Sequence, residues 1–356
     1  MSDASKLMKP APKQVGALNN QYFDYIPPPG FDPLTAPQAD LATYGIVPRP
    51  DPVHQPELFH NWLRIFAPPM VFVNPKPRVR HSHSLITPNP VIHQSTMDAG
   101  ASRVSTSRNW SGAFIVPTED TMFVLVAGLW TVPSVSLPPP AYLETGKNPY
   151  VCSTWVGLDG QRRYLNSSLP QTGTMQFLTV PPSAPPQTEV IAFFQWWDRE
   201  TGGTFLGLTG LSVRPGDVMI GAVWAKTETT AIAYLRNVTT GHMAIVGANS
   251  AVVTLSSGPK VELTISGATA EWILERPMVP GTKDLYPFPT YSTTTFACWA
   301  GAALAAGPPQ SWHDLQTARF IRMYDTLHNP TRTAFISMPT REGDTAVRLD
   351  YGDFKD

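Results

Sequence analysis

Residues 167–176 read Ser-Ser-Leu-Pro-Gln-Thr-Gly-Thr-Met-Gln and contain the pentapeptide Leu169-Pro170-Gln171-Thr172-Gly173. As a signal, LPQTG directs covalent attachment to a bacterial cell wall. Such a signal stands near a C-terminus, ahead of an apolar segment and a basic tail. Here about half of the 356 residues follow it. The other reading is a turn, bent by Pro170 and Gly173, that presents the amide of Gln171. A primary amide offers N–H donors and an acceptor at any pH. A second chemical stretch is Ala270–Glu275, Ala-Glu-Trp-Ile-Leu-Glu. As a strand it puts Glu271, Ile273 and Glu275 on one face and Trp272 and Leu274 on the other. Two carboxylates and an isoleucine make a poor core stripe. They suit the floor of a groove, or else the glutamates stand in water while Trp272 and Leu274 are buried.

Other reactive residues carry less. The pair His81 and His83 invites a metal, but Arg78 and Arg80 flank it and no cysteine or carboxylate cluster stands nearby, so neither a metal nor a cofactor is expected. Five of the eight histidines, at 54, 60, 81, 83 and 93, fall in the first hundred residues, which suits a segment that charges in acid. His242, His313 and His328 have no nucleophile motif beside them, and no GxSxG, HExxH, P-loop or Rossmann glycine pattern occurs. Cys152 and Cys298 allow one disulfide or two thiols. Three Asn-x-Ser/Thr sites, at Asn109, Asn166 and Asn237, are potential glycan acceptors.

The net charge of −1 argues against a nucleic-acid partner. No apolar run approaches the ~20 residues that span a bilayer, so no membrane partner is expected. No secretion signal is visible in the first twenty residues. Only 15% of residues are charged, so the surface has few carboxylates to lose in acid.

Two textures divide the chain. Seventeen of the 38 prolines lie in residues 1–100, too many for strand ladders or long helices. Within that part, Glu57–Ala67 carries Leu58, Trp62, Ile65 and Phe66 on one helical stripe. Residues 1–103 are therefore expected to be a Pro-rich arm with one short helix. From about Ser102 onward, apolar and aromatic runs of five to eleven residues alternate with turn residues, the pattern of an antiparallel β-sandwich or barrel.

Seven motifs then follow in order: SRNWSGA (107–113), STWVGLDG (153–160), LPQTGT (169–174), FFQWW (193–197), RPGDVM (214–219), YLRNVTTGH (234–242) and AEWILERP (270–277). Together these resemble the glutamic peptidases, the eqolisin family, over roughly residues 105–350. The resemblance implies an all-β fold, a sandwich of two packed antiparallel sheets of the concanavalin A-like kind, over 104–356. It implies acid endopeptidase activity on protein or peptide substrates through a Gln/Glu dyad, with Gln171 and Glu275 at the matching positions. Trp110 and Trp155 match tryptophans of the substrate groove, and Gln195, Trp196 and Glu271 fall in motifs that line it. Asp159 matches an acidic residue that could orient a dyad member. The resemblance also implies an extracellular protein made with a removable propeptide, a role open to residues 1–103. There are departures. Gln195 replaces a glutamate, Ile191 an aspartate, and Arg276-Pro277 stands where Asp-Phe is usual. Arg276 should point away from Glu275, yet its charge could still act on it. A groove lined by tryptophan also fits a non-catalytic carbohydrate- or peptide-binding module.

Overall fold

The computed structural model describes residues 13–14, 21–81 and 104–354, apart from 119, 145, 161–167, 199, 256–257, 281, 283 and 326–333. The main elements, in chain order, begin with β1 (Tyr22–Tyr25), α1 (Gln38–Thr43), α2 (Pro56–Phe66), β2 (Val71–Phe72), β3 (Pro77–His81), β4 (Val104–Ser107), β5 (Trp110–Ile115) and β6 (Met122–Thr131). Then come β7 (Tyr150–Leu158), β8 (Ser168–Thr179), β9 (Gln187–Asp198), β10 (Thr204–Leu208), β11 (Val218–Thr227), β12 (Thr230–Asn237) and β13 (His242–Asn249). The last are β14 (Ala270–Glu275), β15 (Thr294–Ala303), β16 (Arg319–Asp325), β17 (Ala334–Glu342) and β18 (Ala346–Phe354).

The strands form two layers, as expected for a sandwich. The front layer runs β4-β16-β5-β14-β7-β8-β9-β10-β3. The back layer runs β18-β15-β6-β11-β12-β13-β1. Strand β17 pairs with both β16 and β18 and joins the layers along one side. The core between the layers holds Trp272, Leu274, Val156 and Phe194 from the front and Val126, Trp130, Val223 and Leu235 from the back. Close approach of the strands needs missing side chains. A Cβ at Gly128 would stand 2.9 Å from both Trp272 and Val156, so this glycine makes the room that the Trp272 indole fills.

The reading of LPQTG changes. The LPQTG stretch is not a turn: β8 runs through it for 12 residues and is paired on both sides. Pro170 is tolerated because it lies one residue beyond the last pair with β7, Gln171↔Gly157, where a missing N–H breaks no bond of that ladder. Gly173 serves packing, since a Cβ there would lie 2.1 Å from the Thr154 carbonyl oxygen and 2.6 Å from the Trp155 Cβ. A strand inside a sheet is no cell-wall signal. Of the two readings open for the cysteines, the structure has two thiols. Cys152 and Cys298 are buried free thiols, both pushed up in pKa by burial. Two of the glycan acceptors are closed as well: Asn109 and Asn237 are fully buried, and Asn237 donates to Asp217 at 2.7 Å. Asn166 lies outside the described residues. No described helix is long and apolar enough to cross a membrane.

The Pro-rich arm is built into the sandwich. Helix α2 has Pro56 at its first position, ends at Phe66 before Pro68-Pro69, and buries the expected Leu58, Trp62, Ile65 and Phe66. A second helix, α1, was not legible, because Leu41 is its only buried residue and gives no stripe. Short strands also occur, contrary to the expectation from proline content. They are confined to sheet edges, where β1 pairs with β13, β2 lies parallel to β13, and β3 pairs with β10 from Pro77 on. The helices cover the outer face of the back sheet, where Trp62 and Phe66 pack with Ile220, Trp224, Tyr234, Ile245 and Trp299. Two polar groups find backbone partners in this seam. The Trp62 indole donates to the Val47 carbonyl at 3.0 Å, and the Tyr234 hydroxyl to the Gly45 carbonyl at 2.6 Å. Arg64 lies 3.6 Å over the Trp299 ring. Of the arm histidines, His54 pairs with Asp51 at an exposed site worth little stability, and His60 is exposed. The side chains of His81, His83 and His93 lie outside the described residues.

Replacing Trp62 with alanine removes the centre of this seam. Chemical denaturation should show a loss of about 3–5 kcal/mol. A loss near zero would mean that the arm is only loosely attached to the back sheet.

Candidate active site

Strand alternation gives the front sheet an outer face of its own. On β14, Trp272 and Leu274 enter the core, while Ile273 joins an outer cluster with Trp110, Phe114, Trp155, Leu169, Phe193, Trp197 and Phe205. Glu271 and Glu275 therefore share this outer face, and neither stands in water: both are 0% exposed. A buried carboxylate is stable only where hydrogen bonds replace its hydration.

Glu275 has such bonds. The indole Nε1 of Trp155, on neighbouring β7, donates to its Oε2 at 2.8 Å. The amide Nδ2 of Asn109, just before β5, donates to its Oε1 at 3.4 Å. The Trp155 ring meets Trp110 edge-on, with centroids 5.1 Å apart. Glu271 takes a bond from the Thr269 hydroxyl at 2.9 Å. Arg276 points the opposite way, as expected, and is buried between Asp325 at 3.2 Å and Glu144 at 2.6 Å, with a third bond to the Tyr286 carbonyl. Its charge is matched there.

Gln171 lies on the same outer face. Across the sheet, Gln195, Gln171, Gly157 and Glu271 form one row, and Met175, Ser153, Glu275 and Trp110 form another. Gln171 is thus level with Glu271, while Glu275 lies four residues along, about 13 Å in a flat sheet. Trp155 occupies the midpoint of the diagonal from Gln171 to Glu275, flanked by Gly173 and Ile273. The amide of Gln171 is fully buried, and neither its nitrogen nor its oxygen has a hydrogen-bond partner. A Cβ at Gly157 would come within 3.2 Å of the Gln171 Cβ, so that glycine keeps the floor beside the amide open. Gln195 donates to the Gly202 carbonyl at 3.1 Å.

The site differs from the sequence reading at two residues. Asp159 does not orient a dyad member. It ends β7 at φ +68°, and its carboxylate accepts from the Ser266 N–H, the Ser266 hydroxyl and the Ala268 N–H at 2.7–2.8 Å, tying down the loop that leads into β14. Trp196 packs in the core between the layers, and it is Trp197 that reaches the outer face. Alternation from Gln195 would have identified Trp197. Sequence reading also passed over Asn109 as a site residue, although the Ser-x-Asn-Trp spelling at the start of β5 carries the signal. Among the described residues no group of histidine, cysteine or carboxylate side chains could hold a metal. Two surface cavities of about 630 Å³ each lie elsewhere, one beside Val104 and Phe320 and one beside Arg236, and neither is lined by Gln171 or Glu275.

Burial pushes the Asp159 carboxyl up to about 6, against the downward pull of its hydrogen bonds from Ser266, Ala268 and Gly267. The unfolded chain loses this proton above about 3.9. The contribution of Asp159 to stability is therefore complete below that pH and lost as pH rises toward 6. Over this window the advantage of the wild type over Asp159→Asn should shrink by about 3 kcal/mol in urea denaturation. A difference that is flat or grows with pH would contradict this environment for Asp159.

Comparison with known proteins follows the same lines. Residues 108–345 match the model of the Peptidase A4 family. A comparison with curated proteins gave no match. Scytalido-glutamic peptidase with a transition state analog inhibitor is 21% identical, with 69% of this chain and 98% of that one covered at a TM-score of 0.48. SCP-B, a member of the eqolisin family in complex with the tripeptide Ala-Ile-His, is 20% identical over the same shares, at 0.46. Aspergilloglutamic peptidase from Aspergillus niger is 19% identical, with 57% of this chain and 99% of that one covered, at 0.39. With its family model spanning most of the sandwich, the chain belongs to the Peptidase A4 family.

Proposed function

We propose that the chain is an acid-acting endopeptidase in which Glu275 and Gln171 work as a pair on protein or peptide substrates. The observation that carries this reading is the Gln171 amide, buried on the face that holds Glu275 and without a hydrogen-bond partner. Leaving such a group unpaired costs about 1–3 kcal/mol. That cost is explained if the partner arrives with the substrate. In the reaction, ionised Glu275 takes a proton from water, and the water oxygen attacks the scissile carbonyl. The Gln171 N–H donates to the oxygen that becomes negative. Glu275, now protonated, gives its proton to the leaving amine, and the C–N bond breaks. The two steps require one carboxyl group that is ionised in the first and protonated in the second.

Complete burial of Gln171 and Glu275 denies a protein substrate access. We read residues 1–103, separately, as a propeptide removed in acid; their described helices cover the back sheet and are not what buries the front-face pair. Incubation at pH 3–4 followed by N-terminal sequencing tests this, and an uncut chain with full activity would overturn it.

Digestion of a denatured protein should occur in acid and resist pepstatin. Glu275→Gln should lower kcat/KM by about 10²–10⁴-fold, and Gln171→Ala by about 10²–10³-fold. Unchanged digestion by Glu275→Gln would refute the dyad.

A further inference from the structure

We infer that Asn109 is a positioning residue for Glu275, fixed by Ser107 so that its amide N–H holds one carboxylate oxygen while Trp155 holds the other. The inference rests on the proposed role of Glu275. Every polar group of Asn109 is engaged. Its backbone N–H and that of Trp110 both donate to the Ser107 hydroxyl, at 3.2 and 3.1 Å. Its carbonyl accepts from the Arg276 N–H at 2.8 Å, which locks it to the residue after Glu275. Its side chain meets the Ser107 hydroxyl at 3.0 Å and Glu275 at 3.4 Å.

These contacts fix which way the amide faces. A hydroxyl has two lone pairs and one proton. The Ser107 oxygen receives two backbone N–H groups, so its proton is what remains for Asn109. The atom it meets must be the acceptor Oδ1, and Nδ2 is left facing Glu275. Ser107 and Asn109 are both fully buried, so water does not compete for this arrangement.

The chemistry explains why an amide suits the place. Asn109 and Trp155 donate at every pH and carry no charge. Together, one on each oxygen, they fix the plane of the carboxyl group. Few charged groups face Glu275. Strands β5, β7 and β8 bring none opposite it, Glu271 shares its face on β14, Arg276 is turned to Asp325 and Glu144, and Arg108 is exposed. Removing one donor favours the protonated form of the carboxyl group.

The full-length chain, after acid incubation, would be assayed on a fluorogenic peptide from pH 2 to 6 as wild type, Glu275→Gln, Asn109→Ala, Asn109→Asp and Ser107→Ala. Asn109→Ala should lower kcat about tenfold, with KM nearly unchanged, and move the acidic limb of kcat/KM to higher pH. Asn109→Asp keeps the shape and can donate while protonated. It should retain activity at the acid end and lose it at a pH where the wild type still works, because the introduced carboxyl group repels Glu275 once it ionises. Ser107→Ala should show a weaker form of the alanine effect. Wild-type kcat and pH limbs in Asn109→Asp would overturn the inference even if Asn109→Ala failed to fold. If these variants behave as wild type while Glu275→Gln is inactive, only the role of Asn109 falls. If Glu275→Gln is active, both readings fall together.

Discussion

The structure turns on two carboxylates taken out of water on an apolar face. Glu271 and Glu275 are fully buried on the outer side of the front sheet, among Trp110, Trp155, Phe193 and Ile273. Burying a carboxylate is costly unless hydrogen bonds take the place of water. The neighbouring strands supply those bonds: Trp155 from β7 and Asn109 from the turn before β5 serve Glu275, and Thr269 serves Glu271. Those strands can approach because Gly112, Gly157 and Gly173 carry no side chain. At Gly112, φ is +151° and a Cβ would meet the Trp272 carbonyl oxygen at 2.1 Å. On the reverse side of β14, Trp272 donates to the Ala127 carbonyl at 2.8 Å and anchors the strand to the back sheet. One strand thus presents chemistry on one side and adhesion on the other.

The two outer faces of the sandwich have opposite fates. The back face presents Ile220, Trp224, Ile232 and Tyr234, and residues of the first hundred cover it with two helices and a β-edge. Some of its polar groups are matched to backbone groups of that cover, as Tyr234 is to Gly45 and Val47, while the Trp299 indole nitrogen has no hydrogen-bond partner. The front face keeps a polar row of Gln195, Gln171 and Glu271 inside an aromatic surround. Among the described residues, only the front face combines carboxylates with an amide that has no protein partner. A structural layer on the back and a reactive layer on the front explain why the arm is rich in apolar residues yet contributes none of the candidate chemical groups.

Much of this organisation was legible in the sequence where local periodicity and burial agreed. The helical stripe of Leu58, Trp62, Ile65 and Phe66 and the division of β14 into Trp272 and Leu274 against Glu271, Ile273 and Glu275 follow from spacing alone. The LPQTG stretch misled because proline and glycine signal a turn from local chemistry. Pro170 is accommodated by the end of a neighbouring strand and Gly173 by the bulk of Trp155, and both causes are distant in sequence. Asp159 misled for a related reason. Its position beside the motif suggested a partner in the site, yet its bonds go to residues 266 and 268, more than a hundred positions away. Tertiary partners of a polar side chain leave no trace in spacing. The role of Asn109 depends on Ser107 two residues earlier, and that local pattern could be read only once its target was known.

The placement of Arg276 bears on how a glutamate could serve both as base and as acid. The residue after Glu275 is a cation, and a guanidinium against a carboxylate favours the charged form. Held that way, Glu275 would be a weaker base toward water, and its protonated form would be sparsely populated. Alternation along the chain turns Arg276 to the other side, and Asp325 and Glu144 hold it there while burial draws its own pKa down. An indole and an amide donate to Glu275. Each oxygen of the carboxyl group keeps an acceptor lone pair whether or not the group is protonated, so both bonds persist through the cycle. Neutral donors thus fix where the group points, and they favour its ionised form less strongly than a guanidinium against it would.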